Sequence, residues 1–122
     1  MTIQEVIDLV DRHLLNTCDK KDKIRWLSQL DGRVKTEIID THVGGEAVTF
    51  SGYDEKTDVN TQLLIPEMFC QIYQRYLEAQ IYYANQEEER CNNASDAFNV
   101  QWNIFQNWYN RQHMPLGRQF SV

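Results

Sequence analysis

The side chains able to do chemistry are few and lie far apart. His13, His42 and His113 fall in three different segments, and no Glu is followed three residues later by a His. That spacing supplies the inward-facing ligands of di-metal carboxylate bundles, so we expect no metal and no cofactor. Asp40 and His42 are close enough to bind a metal or form an acid–base pair, but a helix C-terminus favours a histidine through its dipole alone. We prefer that structural interpretation.

The thiols and glycines give equally little sign of catalysis. Cys18, Cys70 and Cys91 are an odd number with no CxxC pair, which favours a reducing compartment and cysteines that pack as small hydrophobes. Glycines 44–45 precede Glu46 rather than Lys-Ser or Lys-Thr, and no GxGxxG or GxSxG occurs. The sequence predicts no enzyme, no catalytic residue and no small-molecule substrate.

Size and charge narrow the class of protein further. The chain has 122 residues, of which 42% are hydrophobic and 25% charged, as expected for one globular domain over 1–122. Its formal net charge of -6 repels a phosphate backbone, so sequence-specific nucleic-acid binding is not expected. No run approaches the roughly 18 apolar residues of a membrane span, and no signal peptide is recognisable. We expect neither a membrane partner nor export.

The elements that must position any functional surface are helices. Thr2 and Glu5 have the spacing of a capping box, Pro66 suits the first turn of a helix, and apolar residues recur at helical spacing after each. The predicted fold is an all-α four-helix unit. Its helices are expected over residues 3–15, 22–41, 66–85 and 88–112, with the last two forming an antiparallel hairpin.

One long irregular connection interrupts the helices at residues 43–61. It opens with two glycines and contains the β-prone fragment AVTF, so we expect a short β-hairpin within it. Connections of this length are more often functional or mobile than simple joints. Phe50 and Tyr53 are its candidate contact residues.

The fourth predicted helix carries two apolar faces. One of them is expected to pack against helix three. The second consists of Val100, Ile104 and Trp108, spaced four residues apart. The first two helices could cover this second face inside the same fold. Alternatively it is a subunit interface, where aromatic residues are enriched. The first face consists of Cys91, Ala94, Phe98, Trp102, Phe105 and Tyr109.

The end of the chain offers a further contact segment. Residues 115–122 are too few to form a core of their own, and together with Arg111 they present Arg118 and Phe120 as cationic and aromatic anchors. A disordered, flexible tail is the simplest interpretation. The alternative is an arm that orders on a partner.

Three segments resemble the small head-tail connector, or adaptor, proteins of tailed bacteriophages and prophages. They are LDGRVKTEIIDTH at 30–42, LLIPEMFCQIYQRYLEAQIYYAN at 63–85 and FNVQWNIFQNWYNRQHMP at 98–115, with FSGYD at 50–54 between the first two. Together the three segments cover somewhat less than half of the chain. None of them contains a catalytic signature.

The resemblance implies a virion structural protein without enzyme activity or cofactor. Such a subunit assembles as a homo-oligomeric ring, dodecameric in the virion, on the portal vertex, where it joins head to tail and helps retain packaged DNA. Its implied partners are other copies of itself, the portal and tail-completion proteins, in the virion or the bacterial host cytoplasm. The alternative is a small bacterial helical module that binds or regulates one protein partner.

Overall fold

The computed structural model describes residues 1–116, which fold into four α-helices and contain no β-strand. The all-α four-helix prediction is therefore confirmed. Three short 3-10 helices, Ile39–Thr41, Gly45–Ala47 and Glu67–Phe69, lie between the second and third α-helices. The α-helices are α1 (Ile3–His13), α2 (Lys20–Glu37), α3 (Gln71–Ala84) and α4 (Glu88–Gln112).

The first helix begins at the predicted capping box. The backbone N–H of Glu5 donates to Thr2 Oγ1 at 3.1 Å, and the N–H of Thr2 donates to Glu5 Oε1 at 3.3 Å. The two bonds satisfy backbone donors that the first turn of a helix leaves unpaired. The apolar face that follows is buried and consists of Ile3, Val6, Ile7 and Val10.

The third and fourth helices form the predicted antiparallel hairpin. The ring of Phe69, just before α3, lies 5.3 Å from that of Phe105 late in α4, whereas Tyr76 within α3 lies 5.5 Å from Phe98. The hairpin turn contains Gln86 at φ 60°, a left-handed conformation that non-glycine residues adopt infrequently. The helix predicted from residue 66 begins instead as a 3-10 turn, closed by a bond from Phe69 N–H to the Pro66 carbonyl at 2.9 Å.

The predicted β-hairpin in residues 43–61 is wrong. The connection makes a 3-10 turn at Gly45–Ala47, and its last part pairs with the N-terminus of the chain. The N–H groups of Ile3 and Gln4 donate to the carbonyls of Thr61 and Val59 at 3.2 and 2.9 Å. The carbonyls of Val59 and Thr61 therefore satisfy two backbone donors at the open end of α1.

The core lies among α1, α2 and α3, with α4 packed mainly along α3. This arrangement leaves α4 at the edge of the molecule, in contact with the rest of the fold along one side. The position of α4 makes its opposite side the surface of interest. The largest fully buried side chains include Tyr73, Phe105, Leu27, Leu30, Ile72 and Leu77.

Candidate functional site

The inner face of α4 is the one predicted to meet α3. Ala94, Phe98, Trp102 and Phe105 are all buried there. The guanidinium of Arg33, from α2, lies 4.4 Å from the ring centre of Trp102, within the range of a cation–π contact. The contact joins α2 to the edge of the inner face and does not extend across α4.

The outer face of α4 remains open. Val100 is 57% exposed and Ile104 is 47% exposed, one helical turn apart. The interpretation in which helices α1 and α2 cover this second face is therefore wrong. Isolated exposed aliphatic residues are common on proteins, but two that stack along the middle of the longest helix form a continuous apolar ridge. We call Val100 and Ile104 the α4 ridge.

Trp108 was predicted to continue the ridge, and the structure places it differently. Its ring is half-buried, 5.2 Å from that of Phe69 and 6.1 Å from that of Phe105. The indole reaches round to the inner face because the 3-10 turn before α3 brings Phe69 against the end of α4. Trp108 therefore belongs in part to the protomer core and only borders the ridge. Met68, next to Phe69 in the chain, is 66% exposed.

The stretch of α4 that carries the ridge is uncharged between the exposed residues Asp96 and Arg111, a feature that the apolar pattern alone did not single out. Residues 97–110 contain no Asp, Glu, Lys, Arg or His. The side chains of Asn99, Asn103 and Asn107 are exposed beside the ridge. Because 25% of the residues in the chain are charged, an uncharged interval of this length is unusual and could have been recognised from the sequence alone. Depletion of charge is typical of the centre of a protein interface.

The fully buried carboxylate of Asp31 is the centre of a polar cluster that the sequence pattern did not predict. Asp31 accepts hydrogen bonds from Tyr53 Oη at 2.6 Å, Tyr73 Oη at 2.7 Å and the Leu64 N–H at 3.1 Å. The hydroxyl of Tyr73 in turn accepts from the N–H of Ile65 at 2.8 Å. These bonds attach the long connection to α2 and α3 at one point.

The titration of this cluster follows from its burial. Desolvation raises the pKa of Asp31, although the bonds from Tyr53, Tyr73 and Leu64 oppose the increase. Burial and the nearby carboxylate also raise the pKa of both tyrosines, that of Tyr73 well above its ordinary value. The three groups hydrogen-bond one another in the interior of the protomer, as the members of a structural tie do.

Phe50 and Tyr53, the candidate contact residues of the connection, pack against the protomer itself. Both are half-buried, and their rings lie 5.2 Å apart in an edge-to-face arrangement. The N–H of Tyr53 donates to Ser28 Oγ at 2.9 Å, so this part of the connection lies along α2. The two aromatic residues are consequently not brought together with the α4 ridge.

Asp40 and His42 do not form an acid–base pair in the structure. Asp40 forms an ion pair with Lys35, and the buried ring of His42 has its Nδ1 2.5 Å from the Ile38 carbonyl oxygen. Its Nε2 lies 2.7 Å from Oδ1 of Asn110, which connects the end of α2 to the end of α4. These contacts fit the structural interpretation of the histidine.

The remaining predicted site residues lie near the end of the described chain. Arg111 is exposed on the last turn of α4, while Arg118 and Phe120 lie outside the described residues. The first residues after α4 pair with the segment after α2, where the Val43 N–H donates to the Met114 carbonyl at 2.8 Å. Most of the tail predicted over 115–122 lies outside the described part of the chain.

Two further findings concern metals and membranes. Among residues 1–116, no three His, Cys, Asp or Glu side chains are grouped as metal ligands would be. No helix in that part of the chain combines the length and the apolar character needed to span a membrane.

Comparisons of the whole chain with family models, curated proteins and solved structures found no match.

Proposed function

We propose that this protein is a virion structural subunit of the head-tail connector kind, which assembles with copies of itself through the outer face of α4. The observation that carries the proposal is the exposure of Val100 and Ile104 in the middle of a 25-residue helix. Complete burial of an aliphatic side chain contributes about 1.5–3 kcal/mol relative to leaving it in water, and Val100 and Ile104 still expose about half of their surface. The α4 ridge therefore favours association.

A ring requires two different surfaces on each subunit, because the contact is heterologous and must close by rotation. The α4 ridge supplies one of them at an edge of the molecule. The connection at 43–61 and the C-terminal tail are then available for the portal and for tail-completion proteins. Within the connection, Asp54, Glu55 and Lys56 are exposed, whereas Phe50 and Tyr53 pack on α2.

The acidic balance supports a subunit that lines a passage for DNA. A net charge of -6 per copy repels the phosphate backbone, so a ring of such copies lets DNA pass without binding it tightly. The resemblance of the segments at 30–42, 63–85 and 98–115 to connector proteins supports the same assignment.

Electron microscopy of the purified protein, with particle masses measured across a concentration series, tests the proposal. Closed rings of one size, which also bind a purified portal from the same phage or prophage, are the expected result. A protein that remains monomeric or dimeric at all concentrations, and does not bind the portal, would favour a small helical module with a single protein partner and overturn the proposal.

A further inference from the structure

The loop between α1 and α2 carries an apolar side chain that contacts almost nothing in the protomer. Leu15 is 96% exposed, whereas its neighbour Leu14 is half-buried and packs against the core. A single exposed leucine is common on proteins, so the groups around it decide what can cover it. We call residues 14–19 the Leu15 loop.

The exposed charges around the Leu15 loop are mostly positive. Asp11 and Lys23 form an ion pair at 2.8 Å that joins the helices on either side of the loop. The exposed charged residues between these two are three cations and one carboxylate, namely Arg12, Lys20, Lys21 and Asp19. In a chain with a net charge of -6, this corner is therefore locally basic, with a projecting apolar residue among its cations.

An open cleft of about 660 Å³ lies at the turn between α3 and α4. Tyr83, Ala84 and Cys91 supply its less polar lining, and Tyr83 is itself 76% exposed. Glu87 and Glu88 also line the cleft. An exposed tyrosine beside a concave surface is typical of a protein interface. We call this site the hairpin cleft.

The loop and the cleft complement each other in shape and in charge. The loop presents a projecting leucine among cations, and the cleft presents a concave surface among carboxylates. Arg90, the only cation of residues 83–92, is paired with Glu87 at 3.3 Å, which leaves the exposed Glu88 and Glu89 to attract a basic surface. Complementary charges of this kind select the partner and its orientation.

The loop and the cleft lie at the same end of the protomer. Arg33 of α2 lies over the ring of Trp102, and His42, later in the chain, contacts Asn110. The helices α2 and α4 therefore run in the same direction, which places their first turns towards the same end. Since α1 packs on α2 and α3 while α4 packs mainly on α3, the loop and the cleft belong to different sides of the molecule.

We propose that the Leu15 loop of one copy inserts into the hairpin cleft of the next copy. The inference rests on the proposed self-assembly and names the second surface that a ring requires: α4 carries one side of the contact, and the corner between α1 and α2 carries the other. Leu15 is too exposed to occupy the cleft of its own copy. Each protomer can thus offer its loop to one neighbour and its cleft to the other.

Variants that disable one side of the contact each, measured alone and mixed, test the proposal. Leu15→Asp removes the apolar group from the loop, and Ala84→Arg fills the cleft with a basic side chain; both positions are exposed, so the core is retained. We expect each variant alone to associate at least tenfold more weakly than the wild type in sedimentation velocity. An equimolar mixture should form a heterodimer, because one intact loop then meets one intact cleft.

The control for these variants is Gln71→Glu, which adds a negative charge at an exposed position at the start of α3 and should assemble as the wild type does. Assembly of Leu15→Asp equal to that of the wild type would overturn the proposal. A mixture that remains monomeric while the wild type assembles would overturn it as well.

An exchange of charges separates a specific contact from an effect of total charge. Lys21→Glu makes the chain more negative and Glu88→Lys makes it less negative, so net charge alone would weaken association in the first variant and strengthen it in the second. The proposed contact predicts that both single variants associate more weakly at low ionic strength and that the double variant K21E/E88K recovers. Stronger association of Glu88→Lys alone would contradict the docking of the loop.

The two proposals fail in different ways. A wild-type protein that stays monomeric would overturn the proposed self-assembly and the loop contact with it. A wild type that assembles, together with a Leu15→Asp variant that assembles equally well, would overturn the loop contact alone. Circular dichroism of each variant checks that its helicity is unchanged in every comparison.

Discussion

The buried carboxylate of Asp31 is the residue on which the long connection depends. A carboxylate removed from water is unfavourable unless donors surround it, and here Tyr53, Tyr73 and the Leu64 N–H supply them. The cost of burial is offset only while all three bonds persist. The side chain of Asp31 therefore fixes the position of Tyr53 and Leu64, which lie more than twenty residues later in the chain.

Replacing Asp31 by alanine should destabilise the fold by about 3 kcal/mol or more. At least two buried donors, the hydroxyl of Tyr73 and the N–H of Leu64, would lose their acceptor, and each such loss costs about 1–3 kcal/mol. Urea unfolding followed by circular dichroism measures the effect. Asp31→Asn keeps one acceptor oxygen and should lose less, and equal stability of the alanine variant and the wild type would contradict a role as a tie.

The pH dependence of stability should carry the signature of Asp31. Burial raises its folded-state pKa above the ordinary value of 3.8, so the folded state binds this proton more tightly than the unfolded state. The contribution of Asp31 to the free energy of unfolding is then largest below pH 3.8 and decreases as pH rises through the raised pKa.

Unfolding curves of the wild type and of Asp31→Asn, measured across the acidic range, isolate this contribution because the other carboxyl groups are common to both. The stability of the wild type relative to Asp31→Asn should fall as pH rises. A difference that grows with pH would show that the hydrogen bonds dominate over burial, which is the opposite of the expected sign.

The glycines of the second helix and the turn after it behave differently from one another. A Cβ at Gly45 would lie 2.3 Å from the carbonyl oxygen of Ile39, whereas a Cβ at Gly32 would meet only the ring of Phe50 at 3.6 Å. The first contact is a clash with backbone, and the second is an ordinary van der Waals distance. Gly45 is therefore required by the turn, while Gly32 is tolerated within α2.

The substitution Gly45→Ala should lower the free energy of unfolding by about 1–3 kcal/mol, as overpacked sites do. Gly32→Ala, the matched control, should be neutral or stabilise α2 by about 0.5–1 kcal/mol, because alanine favours a helix. Thermal unfolding of the two variants measures both effects. A stable Gly45→Ala variant would mean that the turn relaxes without cost.

The elements show which parts of the fold local sequence patterns determine. The bounds of α4 were predicted as observed, and the capping box placed the start of α1, because both depend on neighbours within a few residues. In place of the hairpin expected from AVTF, Gly45–Ala47 makes a 3-10 turn. The carbonyls of Val59 and Thr61, later in the connection, pair with the start of α1, a contact that no local pattern reports. The end of α2 was overestimated because Ile39–Thr41 tightens into a 3-10 turn.

The candidate site was predicted in part for the same reason. The spacing of Val100 and Ile104 indicated an outer face, whereas the inward packing of Trp108 depends on Phe69, which is distant in sequence. Asp31 was missed because a lone carboxylate on a helix gives no sign that two distant tyrosines will meet it. The interval 97–110 without charged residues is visible in the sequence, but the spacing of apolar residues does not reveal it.

At the scale of the whole molecule, a small helical protomer keeps its polar ties inside and leaves one face of its longest helix open. The internal ties, at Asp31 and at His42, hold the connection and the end of α4 against the body of the fold. The outer face of α4 has no such partner within residues 1–116. The protomer can therefore lose the ridge without losing its own core, and assembly can be tested apart from folding.

Sedimentation velocity of the wild type and of Ile104→Glu across a range of concentrations tests this separation most directly. Gln71→Glu, which adds the same charge at an exposed position at the start of α3, is the control. The account predicts that the wild type and the control assemble while Ile104→Glu sediments as a folded monomer with unchanged helicity. Assembly of Ile104→Glu equal to that of the wild type, or a monomeric wild type, would contradict it.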